Sequence, residues 1–432
     1  MGSGGTGGLR GRAQVLVNTT LGVCLLVVGG RGVFEAVASK QIGYVAQAVA
    51  IVVIIVLGLT RGFTKRHGKT GLFVAAYLFL MVELLSVAYV TSTSTTADPW
   101  NYVVVMTMFA LVLCLSGALE FDGLARTNVM GWLAVVGLVA VAVAVIQQRS
   151  LLLDVFGGSD LSSLGGTVRP AALTGSYLHY PLMISLICFA FVQAWVSTRR
   201  RWYGIVALVL AAAVAASYSR SGMVILAGGV LCHFVLSSGL GRRIRLGFAI
   251  LVAAVVAFLA FEGTPYWSRY IGGLDSGAAG NEARITKWYA GMEYWFDSPL
   301  LIGGYTGQFT NVTGNLGGEA TGVLESGLVQ QLVSFGLVGT ILFYLLMVGV
   351  VLAVKPAHRW LKAGLVAAML QTLVYQSIEV VPFMVLFSLM PLVSSHIDFR
   401  SSGAQSFRSD EAVDKSTRHR EQRSLRSHTL HV

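Results

Sequence analysis

The sequence predicts an all-α fold, a polytopic transmembrane helical bundle of about 12 spans with a large extracytoplasmic loop between spans 9 and 10. Three observations predict it. Of the 432 residues, 55% are hydrophobic and only 12% charged, where soluble proteins average about 25% charged. The mean hydropathy is +0.71, and apolar runs near 20 residues long recur along the chain. Lys and Arg gather in alternate connectors. Together these exclude a secreted, cytosolic or DNA-binding globular protein.

In order, the apolar runs fall near 14–31, 41–60, 71–92, 102–119, 129–147, 177–197, 203–219, 221–240 and 246–262, then 326–354, 363–378 and 380–396. The implied organisation is a disordered N-terminus (1–13), helices 1–9 (14–262), an outer loop with an amphipathic helix (263–325), helices 10–12 (326–396) and a disordered basic tail (397–432). With an even number of spans both termini share a side. One set of faces holds 23 of the 31 Lys and Arg, the other 8, so both termini are expected to be cytoplasmic, because basic residues beside a span resist translocation. The first span resembles a signal peptide in length, but no small-residue cleavage site follows it, so it is read as a retained anchor.

The net charge of +11 reflects this inside bias and the tail, and the expected partner is anionic lipid rather than nucleic acid. Cys24, Cys114, Cys188 and Cys232 all lie in predicted spans, too far apart to suggest a disulfide framework or metal quartet, and are read as packing residues. Neither a P-loop, a Rossmann glycine pattern nor H-E-x-x-H occurs. No cofactor and no metal are therefore expected.

Ionisable residues are scarce at the outer face, so the few present carry most of the functional information. In R-P-A-A-L-T-G-S-Y-L-H-Y-P, Arg169, Tyr177, His179 and Tyr180 sit at the mouth of the sixth span; Arg169 either holds an anion bidentately or anchors at the headgroups, and His179 by itself reads more readily as packing. In Y-S-R-S-G, Arg220 is the only charge between Tyr203 and Leu240, so a tight two-span hairpin fixes it at the boundary, to bind a phosphate or to snorkel. In the long loop, Asn281 to Asp297 reads as a helix with Ile285, Trp288, Tyr289, Met292, Trp295 and Phe296 at three- and four-residue spacing, suited to lying on the bilayer. Arg284 projects from its start toward the crevice of Arg220. Glu325 begins the next span, as a helix cap or as a general base for a hydroxyl acceptor.

Taken in this order, with D-S-P-L-L-I-G-G-Y-T-G-Q-F after the A-R-I-T-K-W helix and F-G-L-V-G in the tenth span, the segment from Arg169 to Gly339 resembles the O-antigen ligase and O-antigen polymerase family of bacterial membrane glycosyltransferases. The resemblance implies a metal-independent enzyme of the cytoplasmic membrane acting on its outer side. Its donor would be an undecaprenyl-pyrophosphate-linked glycan and its partner a glycan acceptor. Carried over by position, Arg220 and Arg284 match the arginines that engage the pyrophosphate, with Arg169, Tyr177, His179, Tyr180 and Trp288 as substrate-binding candidates. Ligases of the family carry a His-Asn pair at a fixed interval before the Gly-x-x-Gly; here that interval holds Glu325-Ser326, which makes Glu325 the catalytic candidate and favours a polymerase over a ligase.

A secondary transporter or lipid-linked oligosaccharide flippase is the competing reading, since twelve spans with both ends inside suit it and Glu83 and Glu379 lie within or between apolar stretches. Two six-helix halves would place their long connector between spans six and seven. Here that connector is only S-T-R-R-R-W.

Overall fold

The computed structural model describes residues 6–61, 64–65, 69–93, 99–120, 124–125, 127–149, 160–164, 167–237, 281–310 and 323–400, with single positions at 241, 247 and 263. The expected ninth span at 246–262, apart from position 247, and the tail from 401 onward lie outside the described residues. So does most of the loop on either side of 281–310.

Helix α1 (Thr6–Gly29) turns by 69° into the short α2 (Arg31–Val37), and α3 (Lys40–Arg61), α4 (Thr70–Thr93), α5 (Trp100–Ala118) and α6 (Val129–Gln148) follow. Next come α7 (His179–Thr198), α8 (Arg201–Ala216) and α9 (Arg220–Leu236), the loop helix α10 (Asn281–Phe296), α11 (Gly327–Ala353), α12 (Arg359–Val374) and α13 (Val381–Arg400). Among the described residues seven helices are long and apolar enough to cross a membrane, or eight if the bent α1–α2 pair is one span, while α8 and α9 are shorter apolar helices. The chain is therefore a polytopic all-α protein. Helix starts inside the polar N-terminus at Thr6, earlier than the apolar pattern begins. Two small antiparallel ladders, Thr64–Lys65 with Leu119–Glu120 and Asp160–Leu164 with Thr167–Arg169, are additions that no alternating pattern signalled.

Helix α11 runs through the bundle against α4 and α5, while α12 packs on α9 and α7, and α7 on α8. Phe79, Tyr102, Phe109, Phe335, Phe343, Phe383 and Phe387 fill the centre, each almost wholly buried. Lipid-facing side chains stay apolar as well: Leu208, Leu231 and Val235 are exposed on their helices, as expected where hydrocarbon replaces water.

The F-G-L-V-G motif has a structural cause. Helix α11 breaks at Gly336 (φ 64°, ψ −169°), a conformation open essentially to glycine alone. The segment Pro299–Thr306 docks into that break. Leu337 and Val338 donate their N–H groups to the carbonyls of Leu300 (2.9 Å) and Leu301 (3.1 Å) instead of to the preceding turn. The carbonyls this leaves are taken up in turn: Val333 accepts from Gly304 and Tyr305 N–H, both at 3.2 Å, and Ser334 accepts from Ser86 Oγ (2.6 Å) and Thr306 Oγ1 (2.8 Å). These four backbone groups released by the break are all paired, as an apolar interior demands.

Candidate functional site

One cavity of about 440 Å³ opens among the ends of α2, α7, α9, α10 and α12. It gathers most of the residues that the sequence singles out. Arg169, Tyr177, His179, Arg220, Arg284 and Glu325 all line it, although they span more than 150 positions of sequence.

Each is positioned by a definite local structure. Arg220 is the first residue of α9, after a three-residue connector in which Tyr218 takes a left-handed φ of 55°. The helical hairpin expected from the sequence therefore exists and points Arg220 at the cavity. Its Nη1 donates to Asn281 Oδ1 at 2.9 Å, tying the start of α9 to the start of α10. Arg284 and Lys287, three apart and so on one face of α10, both reach Glu325: Arg284 Nε and Nη2 lie 2.8 Å from Oε2, and Lys287 Nζ lies 3.3 Å from Oε1. The Arg284 guanidinium also sits 5.0 Å above the ring of Tyr375. Glu325 itself has a left-handed φ of 57°, and the following Ser326 caps α11 by accepting Val329 N–H. Strain of this kind in a non-glycine residue costs about 1–3 kcal/mol and collects at functional sites.

The opposite wall holds Arg169, buried, with its guanidinium 4.0 Å over the ring of Tyr177. Arg31 joins it. This residue sits in G-G-R-G at the bend between α1 and α2, in an ion pair with Glu35 (3.0 Å) and 4.7 Å over Tyr44. Arg31 has no role in the reading of the sequence, although the glycines flanking it inside a first span were an available signal. Lys287 was likewise passed over. Among the described residues, five cationic side chains and two carboxylates, Glu325 and Glu379, thus line the cavity. The first turns of α7 and α9 also border it, and their backbone partial charges add to a positive potential. An anion with several negative charges is the natural complement.

Two expected substrate-binding residues are placed elsewhere. Tyr180 is 1% exposed and packed in the main core; Leu178, His179 and Leu182 share the cavity face of α7, and the next position of a helix turns away from it. Trp288 packs with Met292 and Trp295 against Phe309, Leu324, Val329 and Val333. The aromatic stripe of α10 therefore divides. That inner row holds the helix on α11, while Ile285, Tyr289 and Phe296 remain exposed.

A search among curated proteins finds no match to this chain. A family model described as O-Antigen ligase matches residues 205–344. That stretch contains Arg220, Arg284, Glu325 and the Gly336 break, and the match supports the kinship with the O-antigen ligase and polymerase family of membrane glycosyltransferases that the motifs imply.

Proposed function

We propose that the cavity is the active site of a polymerase-type transferase that extends undecaprenyl-pyrophosphate-linked oligosaccharides on the outer side of the bacterial cytoplasmic membrane, both termini being cytoplasmic. The observation that carries this is the convergence of Arg220 and Arg284, from distant segments, on one cavity where Arg284 is ion-paired to Glu325. The excess of Lys and Arg on the faces opposite the cavity supports the sidedness.

In this reading the diphosphate of the donor lies against Arg220, Arg284 and Lys287. Arg284 and Lys287 engage both oxygens of Glu325; a diphosphate, with its greater charge, draws both cations to itself and leaves the carboxylate to an acceptor hydroxyl. The hydroxyl oxygen bonds to the anomeric carbon as its proton passes to Glu325. The bond from that carbon to phosphate breaks with its electron pair on the phosphate oxygen, so undecaprenyl diphosphate leaves and the anomeric configuration inverts. The guanidinium groups stabilise the charge growing on the leaving oxygen. No step calls on a metal or cofactor.

The test uses purified protein with a lipid-linked oligosaccharide. Longer chains together with free carrier lipid are expected; unmodified lipid crossing a vesicle wall would instead identify a flippase. Glu325→Gln keeps the size of the side chain but removes its capacity as a base, and should slow transfer by about 10²–10⁴ with carrier binding retained. Unchanged product from that variant would assign Glu325 to holding Arg284 alone.

A further inference from the structure

One wall of the cavity differs in chemistry from the rest. The end of α12 and its connector to α13 present Gln371, Tyr375, Gln376, Ser377 and Glu379 to the cavity, all from within nine residues. A diphosphate wants cations and N–H donors. This wall offers it a carboxylate, which would repel it, together with two amides and two hydroxyls.

The side chains are held in place. Gln376 Nε2 donates to Glu379 Oε1 at 2.8 Å, and Ser377 Oγ donates to Gln371 Oε1 at 2.6 Å. Gln371 is 1% exposed, and its Nε2 has no hydrogen-bond partner among the described residues. Gln371 lines the cavity, and a buried amide N–H₂ whose carbonyl oxygen is already engaged is suited to donate to something that enters. The wall is also fixed to the reacting side of the site: Ser326 Oγ donates to the Leu373 carbonyl (2.7 Å) and Gly327 N–H to that of Tyr375 (3.2 Å). Those two residues directly follow Glu325.

We propose that this wall is a saccharide subsite: Glu379 accepts hydrogen bonds from ring hydroxyls of one sugar residue while Gln371 Nε2 donates to a hydroxyl oxygen of the same residue. A carboxylate beside an amide donor matches vicinal hydroxyls, which both give and accept hydrogen bonds. The inference rests on the diphosphate reading of the cationic side of the cavity, which adjoins this wall where Arg284 lies over Tyr375, and the sugar is either that of the donor or that of the acceptor.

The experiment places the full chain in lipid nanodiscs and compares two probes, sugar-free undecaprenyl diphosphate and the lipid-linked oligosaccharide purified from the host. Glu379→Gln and Gln371→Leu should each weaken binding of the glycosylated lipid about tenfold or more, the loss of hydrogen bonds to a charged or buried partner, while the sugar-free lipid binds as before. Equal binding of the glycosylated lipid by wild type and both variants overturns the subsite and leaves the diphosphate reading standing. Loss of both lipids in both variants marks the wall as a structural support, and also overturns it. If the wild type fails to bind the sugar-free lipid, or Arg284→Ala binds it normally, the diphosphate reading falls and this one with it. In chain extension, a raised KM for the acceptor alone assigns the subsite to the acceptor sugar, and a raised KM for the donor alone assigns it to the donor sugar.

Discussion

Gly336→Ala is expected to prevent the protein from accumulating in a folded form. A Cβ at this position would lie 2.3 Å from the Leu301 carbonyl carbon and 2.4 Å from Ile302 N, and the backbone pair of φ 64° and ψ −169° is open essentially to glycine alone. Both neighbours are backbone, so neither can rotate aside. Relief requires withdrawing Pro299–Thr306 from the break in α11, which strands the N–H groups of Leu337 and Val338 and the carbonyl of Val333, while the Ser334 carbonyl keeps Ser86 Oγ. Each unsatisfied buried polar group costs about 1–3 kcal/mol. Three such groups put the loss in the range of the ~4 kcal/mol that marks an exceptional point mutation. Thermal unfolding of detergent-solubilised protein measures it. Gly71→Ala is the control, because a Cβ there meets nothing within 4 Å, and this helical position should be unchanged or gain up to about 1 kcal/mol. A normal melting temperature for Gly336→Ala would mean that the interlock contributes nothing to stability.

Arg220→Lys is expected to be nearly as damaging to chain extension as Arg220→Ala. The planar guanidinium donates through Nη1 to Asn281, and its rigid fork of N–H groups can keep that contact while meeting a phosphate from a different N–H. A lysine ammonium is a single point of charge that cannot serve both. Loss of one stabilising donor at a developing oxyanion typically costs about 10²–10³ in rate, and both variants should fall in that range at normal protein abundance. Arg220 begins a helix without side-chain capping, so neither change removes a structural cap. Wild-type product length from Arg220→Ala would overturn the proposed function. A rate for Arg220→Lys close to wild type would instead show that charge alone suffices.

Much of this was legible in the sequence for physical reasons that vary by element. The long apolar runs were read directly, because lipid imposes one composition on any helix that crosses it. Arg220 was locatable because two apolar runs with almost no loop leave a charge nowhere else to go. Glu325, Arg284 and Arg169 were found as charges in places where charge is costly. Lys287 was not, because a lysine on a partly polar loop helix looks ordinary until Glu325 is brought to it. Tyr180 and Trp288 were assigned to substrate because an aromatic beside a cation suits a sugar or a headgroup equally well as a core, and only tertiary packing decides which way it turns. The break at Gly336 was hidden for a different reason: hydropathy sees an unbroken apolar run, and the segment that fills the gap lies some thirty-five positions earlier. Gln371 escaped notice since an amide at a helix end normally means nothing more than solvation, and Glu379 was noticed only as an acid among apolar stretches that would suit a transporter.

The docking of Pro299–Thr306 into α11 has a mechanical corollary. Helix α10 carries Arg284 and Lys287, and it is pinned at one end by Asn281 to Arg220 and riveted just past its other end into a membrane helix. The spacing of the cations is then dictated by the rigid scaffold rather than by the surrounding polypeptide, so that a long insertion elsewhere in the outer segment can vary in length while the jaws of the vice keep their gauge.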